Sequence, residues 1–149
     1  TGVQTCALPI FIDPRHTSEK AKQLLDNMLA AIAHRGPDAS STWQDGPVAL
    51  GHNRLSIIDL SDDGTQPMHG FGAVIVFNGE IYNYLELKKE LESSGYVFRT
   101  KTDTEVVLAS YHRYGQNCVS RFVGMWAFAL WDPEKRWPVR TPFPSDRRI

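Results

Sequence analysis

Residues 125–131, MWAFALW, are apolar on both alternating faces. In an extended chain Trp126, Phe128 and Leu130 fill one side, while Ala127 and Ala129 allow close approach on the other. A strand of this kind needs a packed layer above it and another below. AVIVF at 73–77 is a second short apolar run, and it predicts a buried strand ending at the turn signal Asn78-Gly79. The chain must therefore build a layered structure around at least two water-excluded strands.

The other segments supply the layers. Ala21, Leu24, Leu25, Met28, Leu29 and Ile32 follow the rhythm of one helix face over residues 17–33. Thr17 or Ser18 can cap its start, and Gly36-Pro37 stops the chain soon after its end. Pro47 to Asp59 is rich in β-formers and predicts one or two strands, followed by a loop over 61–67. Asn83 and Glu86 stand in capping-box spacing before a helix with Tyr84, Leu87 and Leu91 on one face, and Gly95 suits its stop. Tyr82 and Tyr84 are expected in the core. Thr102 and Glu105 form a second capping box, opening a helix that runs to about Tyr114. Strands and helices mix without regular βαβ alternation, so the fold class is α+β. Residues 137–149 carry three prolines, fit neither strand nor helix, and read as disordered.

Composition narrows the function. A length of 149 residues fits one domain, and a net charge of −1 with no basic run argues against nucleic acid as a partner. Cys6 and Cys118 make neither a disulfide framework nor a metal-ligand set, and Cys118 reads as a small buried hydrophobe. The histidines show no metal-binding spacing, and a lone His52 in a strand reads as a hydrogen-bonded structural residue. No apolar run reaches the roughly 18–20 residues that span a bilayer, and TGVQTCALPI lacks the charged start and apolar core of a signal peptide. The expected setting is cytoplasmic, with no metal and no membrane.

Four segments are more polar and glycine-rich than folding alone needs: HRGPD at 34–38, LGHNRLSIIDLS at 50–61, FNGEIYNY at 77–84 and TKTDTE at 100–105. Each has an ordinary account in isolation, as a helix stop, an edge-strand arginine, a tight turn and a carboxylate at a helix start. In this order, and with QPM at 66–68, they resemble the glutaminase domain of asparagine synthases, within the class II glutamine amidotransferases. The resemblance covers about residues 11–136. It implies an Ntn-hydrolase-like four-layer sandwich, with two antiparallel sheets between helical layers. The activity it implies is hydrolysis of the glutamine side-chain amide to glutamate and ammonia, feeding an ATP-dependent asparagine synthase.

The resemblance also implies roles. The family nucleophile is an N-terminal cysteine whose own α-amino group, with a pKa of about 7.7–8.0, takes the thiol proton. Asn78 and Gly79 would stabilise the oxyanion. Arg54 would pair with the glutamine α-carboxylate and Asp103 with its α-ammonium, with Glu80 beside it and backbone groups of Arg54, Leu55, Ser56, Ile57 and Ile58 completing the pocket. HRGPD is expected to be a structural support. L-glutamine is the implied substrate, and the implied partner is a synthetase domain normally on the same chain, which alone would use ATP and magnesium.

The pattern departs from the family at both ends. The family opens Cys-Gly-Ile-Ala-Gly-Phe; counting back from Phe11 reaches Cys6, but both glycines are missing and five residues precede it. Residues 1–10 resemble the translation of a sequencing adapter and read as non-native, as does the tail 137–149, leaving a C-terminally truncated domain over 11–136. The nitrogen of Cys6 is then a peptide amide, so the expectation is an inactive site, and Pro9 removes a donor from the first strand. Two other readings stay open: the glutaminase domain of another amide-forming synthetase, and a domain that holds glutamine without cleaving it.

Overall fold

The computed structural model describes residues 9–13, 15–46, 48–54, 64–135 and 137–140. The chain divides into two compact units, Thr1–Pro67 and Met68–Ile149. In the first, strands β1 (Ile10–Ile12), β2 (Ala39–Asp45) and β3 (Val48–Arg54) form an antiparallel sheet in the order β1-β3-β2. Helix α1 (Ser18–Ala31) begins where the Thr17 hydroxyl accepts from the Lys20 N–H at 3.3 Å. Its buried stripe is Ala21, Leu25 and Leu29, which meets Ala49 of β3. Met28, expected on that stripe, is 39% exposed, because the helix contacts the sheet along a single i, i+4 row. Each buried leucine contributes about 1.5–3 kcal/mol. Pro9 costs the sheet little. It lies just outside β1, and its carbonyl still accepts from the Gly51 N–H at 2.9 Å.

The second unit is a four-stranded antiparallel sheet in the order β4-β5-β6-β7, with β4 at Met68–Gly70, β5 at Ala73–Ile81, β6 at Gly124–Asp132 and β7 at Trp137–Arg140. Helices α2 (Tyr84–Ser93) and α3 (Asp103–Tyr114) cover one face. There Ile75, Phe77 and Ile81 of β5 and Phe128 and Leu130 of β6 join Leu91 and Leu108 in the main core. Val74, Val76, Ala129 and Trp131, on the opposite face, are also buried. Both faces of β5 from Ala73 to Phe77 and of β6 from Phe128 to Trp131 are thus withdrawn from water, whereas Met125, at the start of the second apolar run, is 61% exposed.

Several expectations are corrected. Asn78-Gly79 is not a turn. β5 runs through both residues to Ile81, because β6 keeps pairing with it from Val74↔Trp131 to Ile81↔Gly124. Tyr82 is 49% exposed rather than in the core, whereas Tyr84 does pack against it. Asn83 caps no helix with its side chain. Its amide reaches across instead, donating to the Arg121 carbonyl and accepting from the Val123 N–H, each at 2.9 Å. Residues 137–140, part of the 137–149 tail read as disordered, form β7 on β6. Pro138 is tolerated because β7 lies at the sheet edge. The Asp59 end of the predicted 47–59 strand and residues 61–63 of the loop lie outside the described residues.

The β5–β6 ladder closes on two glycines. A Cβ on Gly79 (φ 131°) would lie 2.1 Å from the Met125 carbonyl oxygen, and one on Gly124 (φ 151°) 2.1 Å from that of Glu80. Any side chain there would force the strands apart. Gly124→Ala is expected to lose about 2–4 kcal/mol, from a strained backbone and an overpacked contact. Urea unfolding measures this; a loss under about 0.5 kcal/mol, the range of an ordinary surface change, would mean the strands do not approach so closely.

Candidate active site

The end of β5 carries Asn78, Gly79 and Glu80, opposite Ala127, Trp126 and Met125 of β6. Asn78 and Gly79 are half-buried and Glu80 is exposed. Just beyond, the Tyr82 N–H donates to the Val123 carbonyl at 2.7 Å. In an antiparallel ladder such residues alternate with others whose backbone groups point away from the partner strand. Ile81 is one of these, and its N–H donates to Asp103 Oδ2 at 3.0 Å. Gly79, two residues earlier, has the same phase. β4 pairs with β5 only at Ala73, Val74 and Ile75, so that edge is not covered by β4 at Gly79.

Asp103 is the first residue of α3. The Thr102 hydroxyl caps the helix by accepting from the Glu105 N–H at 3.4 Å. Burial pushes the Asp103 carboxyl above the usual carboxylate range, and the nearby Glu80 charge pushes the same way; hydrogen bonds from the Ile81 and Thr104 N–H groups oppose both. Among the described residues no cationic side chain pairs with Asp103. A half-buried carboxylate of this kind is ready for a positive charge.

In the first unit, Arg54 ends β3. HRGPD is built onto its backbone. A Cβ on Gly36 would lie 2.5 Å from the Asn53 carbonyl oxygen and 2.7 Å from the Arg54 nitrogen. The Asp38 N–H donates to the Arg54 carbonyl at 3.1 Å. The buried Asn53 amide donates to the Leu29 carbonyl at 2.9 Å, tying β3 to α1. The Arg54 guanidinium passes over Gly64, where a Cβ would stand 3.5 Å from Nη2. His52 is buried and its pKa is pushed down to about 4, by burial first and the Arg54 charge second. Its Nε2 has no hydrogen-bond partner among the described residues. Cys6, Leu55, Ser56, Ile57 and Ile58 lie outside the described residues.

A glutamine amidotransferase domain model matches residues 6–140. The chain belongs to the glutamine amidotransferase domain family. The glutamine-hydrolyzing asparagine synthetase 1 of Bacillus subtilis is 44% identical over 126 residues, covering 82% of this chain and 20% of that protein. Asparagine synthetase 3 of the same organism is 39% identical over 135 residues, covering 88% and 22%. The chain thus spans about a fifth of the length of these relatives. A glutamine phosphoribosylpyrophosphate amidotransferase from B. subtilis, solved with ADP and GMP, superposes with a TM-score of 0.69 at 23% identity, over 85% of this chain and 35% of that one. That likeness shows the fold, the α+β Ntn-type fold of an amidotransferase.

Within this amidotransferase domain, Asn78, Gly79, Glu80 and Asp103 come together in the second unit, and Arg54 is set by its own contacts in the first. Glu105 and Gly124 escaped sequence reasoning. The spacing of Thr102 and Glu105 did flag the helix start, but it pointed the Glu105 carboxylate at the wrong partners. Among the described residues no group of three or more His, Cys, Asp and Glu could hold a metal ion, and no helix is long and apolar enough to cross a membrane.

Asp103→Asn keeps an oxygen for the Ile81 N–H and removes the charge that burial disfavours. Because the folded pKa is raised, the ionised form opposes folding at neutral pH. That handicap fades as pH falls through the folded value to the ordinary one, about 3.9. The variant should melt at a higher temperature than the parent at pH 7, with the gap closing towards pH 4. A lower melting temperature at pH 7 would show that the carboxylate is stabilised where it sits.

Proposed function

We propose that this domain binds L-glutamine and hydrolyses its side-chain amide to glutamate and ammonia. The observation that carries the reading is Asp103: a half-buried carboxylate with a raised pKa, hydrogen-bonded to the strand that bears Asn78 and Gly79. Its charge suits the α-ammonium of the substrate, with Glu80 adding to the negative field. By the family resemblance, Arg54 would pair with the α-carboxylate of the substrate through two parallel hydrogen bonds. The Asn78 amide and the Gly79 N–H, the latter in the phase of the Ile81 N–H, stabilise the oxyanion of the tetrahedral intermediate.

The nucleophile in this reading is Cys6, where the family match begins. A cysteine attacks as the thiolate, and its ordinary pKa of about 8.5 calls for a nearby base. With Thr5 attached, the Cys6 nitrogen is an amide and has no proton affinity to offer. Hydrolysis therefore requires a free amino group on that cysteine. In its absence the domain binds glutamine and turns it over negligibly. The ammonia would pass to a synthetase domain on the same chain, a reading that the likeness to glutamine-hydrolyzing asparagine synthetases supports. ATP and magnesium chemistry would belong to that domain, in a cytoplasmic setting. The same chemistry would serve another amide-forming synthetase.

The test replaces residues 1–10 by Cys-Gly-Ile-Ala-Gly behind a removable Met and measures glutamate and ammonia release. The repaired chain should hydrolyse glutamine while the unrepaired one does not. Asn78→Ala should slow it by about 10²–10³, the usual loss for one oxyanion donor. Arg54→Ala should weaken glutamine binding by about 1.5–3 kcal/mol. A folded repaired chain that stays inactive, or works as well without Asn78, would refute the assignment.

A further inference from the structure

We infer that Glu105 is a positioning residue for substrate recognition. Its buried carboxylate holds residues 99–102 so that Asp103 presents its own carboxylate in one fixed place. The inference rests on the reading of Asp103 as the partner of the glutamine ammonium.

The geometry differs from a reciprocal helix cap. In such a cap the glutamate would turn back to the Thr102 N–H. Here the Thr102 N–H donates instead to the Thr100 hydroxyl at 3.2 Å, and Glu105 reaches further back. Glu105 Oε1 accepts from the Arg99 N–H at 3.0 Å, while Oε2 accepts from the Thr100 N–H and the Thr100 hydroxyl, each at 2.7 Å. The Thr100 and Thr102 hydroxyls lie 2.8 Å apart, which joins the cap to the same network. Glu105 is only 2% exposed, and the nearest cation, Arg99 Nε at 3.9 Å, belongs to an exposed side chain. A carboxylate so buried is costly unless its oxygens are satisfied, and here they are satisfied by the loop that leads into α3.

That arrangement has a consequence for recognition. Asp103 Oδ2 accepts from the Ile81 N–H, and the Thr104 N–H is a second donor to the carboxylate. A carboxylate oxygen has more than one lone pair and can still take a ligand. A charged hydrogen bond to an ammonium needs that oxygen placed to within about 0.5 Å. The Ile81 bond fixes one point of the carboxylate, and the Glu105 network fixes the backbone from which it hangs. Loosening the loop should thus cost recognition of the ammonium selectively.

The experiment compares two ligands by calorimetry on the full chain: L-glutamine, and glutaramate, which keeps the carboxylate and amide but lacks the amine. The parent should prefer glutamine by roughly tenfold or more, the factor for one charge-assisted hydrogen bond. Asp103→Asn should erase that preference. Glu105→Gln, which keeps the shape but sets an NH₂ against one of the donors, should bring it within about threefold of Asp103→Asn while leaving glutaramate affinity unchanged. Thr100→Val removes only the hydroxyl and should give an intermediate loss; it carries the test if Glu105→Gln does not fold. If Asp103→Asn erases the preference and Glu105→Gln or Thr100→Val leaves it at the parent value, the positioning role is overturned and the role of Asp103 stands. If Asp103→Asn retains the preference, or the parent has none, the inference falls together with the reading beneath it.

Discussion

The pairing of β5 with β6 is the constraint on which the second unit depends. Eight residue pairs run from Val74↔Trp131 to Ile81↔Gly124 without a slip. A one-residue slip would exchange the faces of every side chain on the strand. Ile75, Phe77 and Ile81 would then leave the helices, and Val74 and Val76 would replace them. The same register leaves the Ile81 N–H pointing out of the ladder towards Asp103. Gly79 and Gly124 matter because they let the ladder stay closed at its site end, where carbonyl oxygens come within 2.1 Å of any added Cβ. One set of hydrogen bonds thus orders the core and aims the polar groups.

Carboxylates divide the remaining work by environment. Glu105 is buried and saturated with donors from its own loop, so it serves as an internal fastener. Asp103, two residues earlier, is half-buried and held above the usual carboxylate range. Glu80 is exposed and acts on Asp103 through its charge. Three acidic residues near one strand end therefore have different physical tasks, set by how many donors each can reach. Sites commonly keep a locally unfavourable charge where a ligand will neutralise it, and the rest of the fold offsets the cost.

The first unit shows how a motif without chemistry can still be needed. Gly36 lies against the Asn53–Arg54 peptide, Asp38 bonds the Arg54 carbonyl, and Asn53 holds the last turn of α1. HRGPD thereby fixes where the Arg54 side chain starts. Burial keeps His52, on the same strand, neutral above a pKa of about 4, so it adds no charge beside that guanidinium at neutral pH.

Much of this was legible in the residues themselves. Apolar runs at 73–77 and 125–131 required strands covered on both faces, helical periodicity located α1 and α2, and cap spacing located α3, each to within a few residues. The motifs indicated the family only in combination and in their order, because each alone has an ordinary account as a turn, a helix stop or a helix start. Other features depended on partners far away in the chain. Asn78-Gly79 has the composition of a turn, yet it lies mid-strand because β6 supplies pairing beyond it. Asn83 has the spacing of a cap, yet it bonds residues 121 and 123, which the return of β6 brings near. Residues 137–140 belong to a tail that looks irregular by its three prolines, yet they pair with β6 as the edge strand among the described residues, where Pro138 is tolerated. Local sequence sets what a segment prefers and which chemistry it carries. Which backbone groups are left over to receive that chemistry is decided only when distant strands pair, because hydrogen-bond satisfaction is a property of the whole sheet.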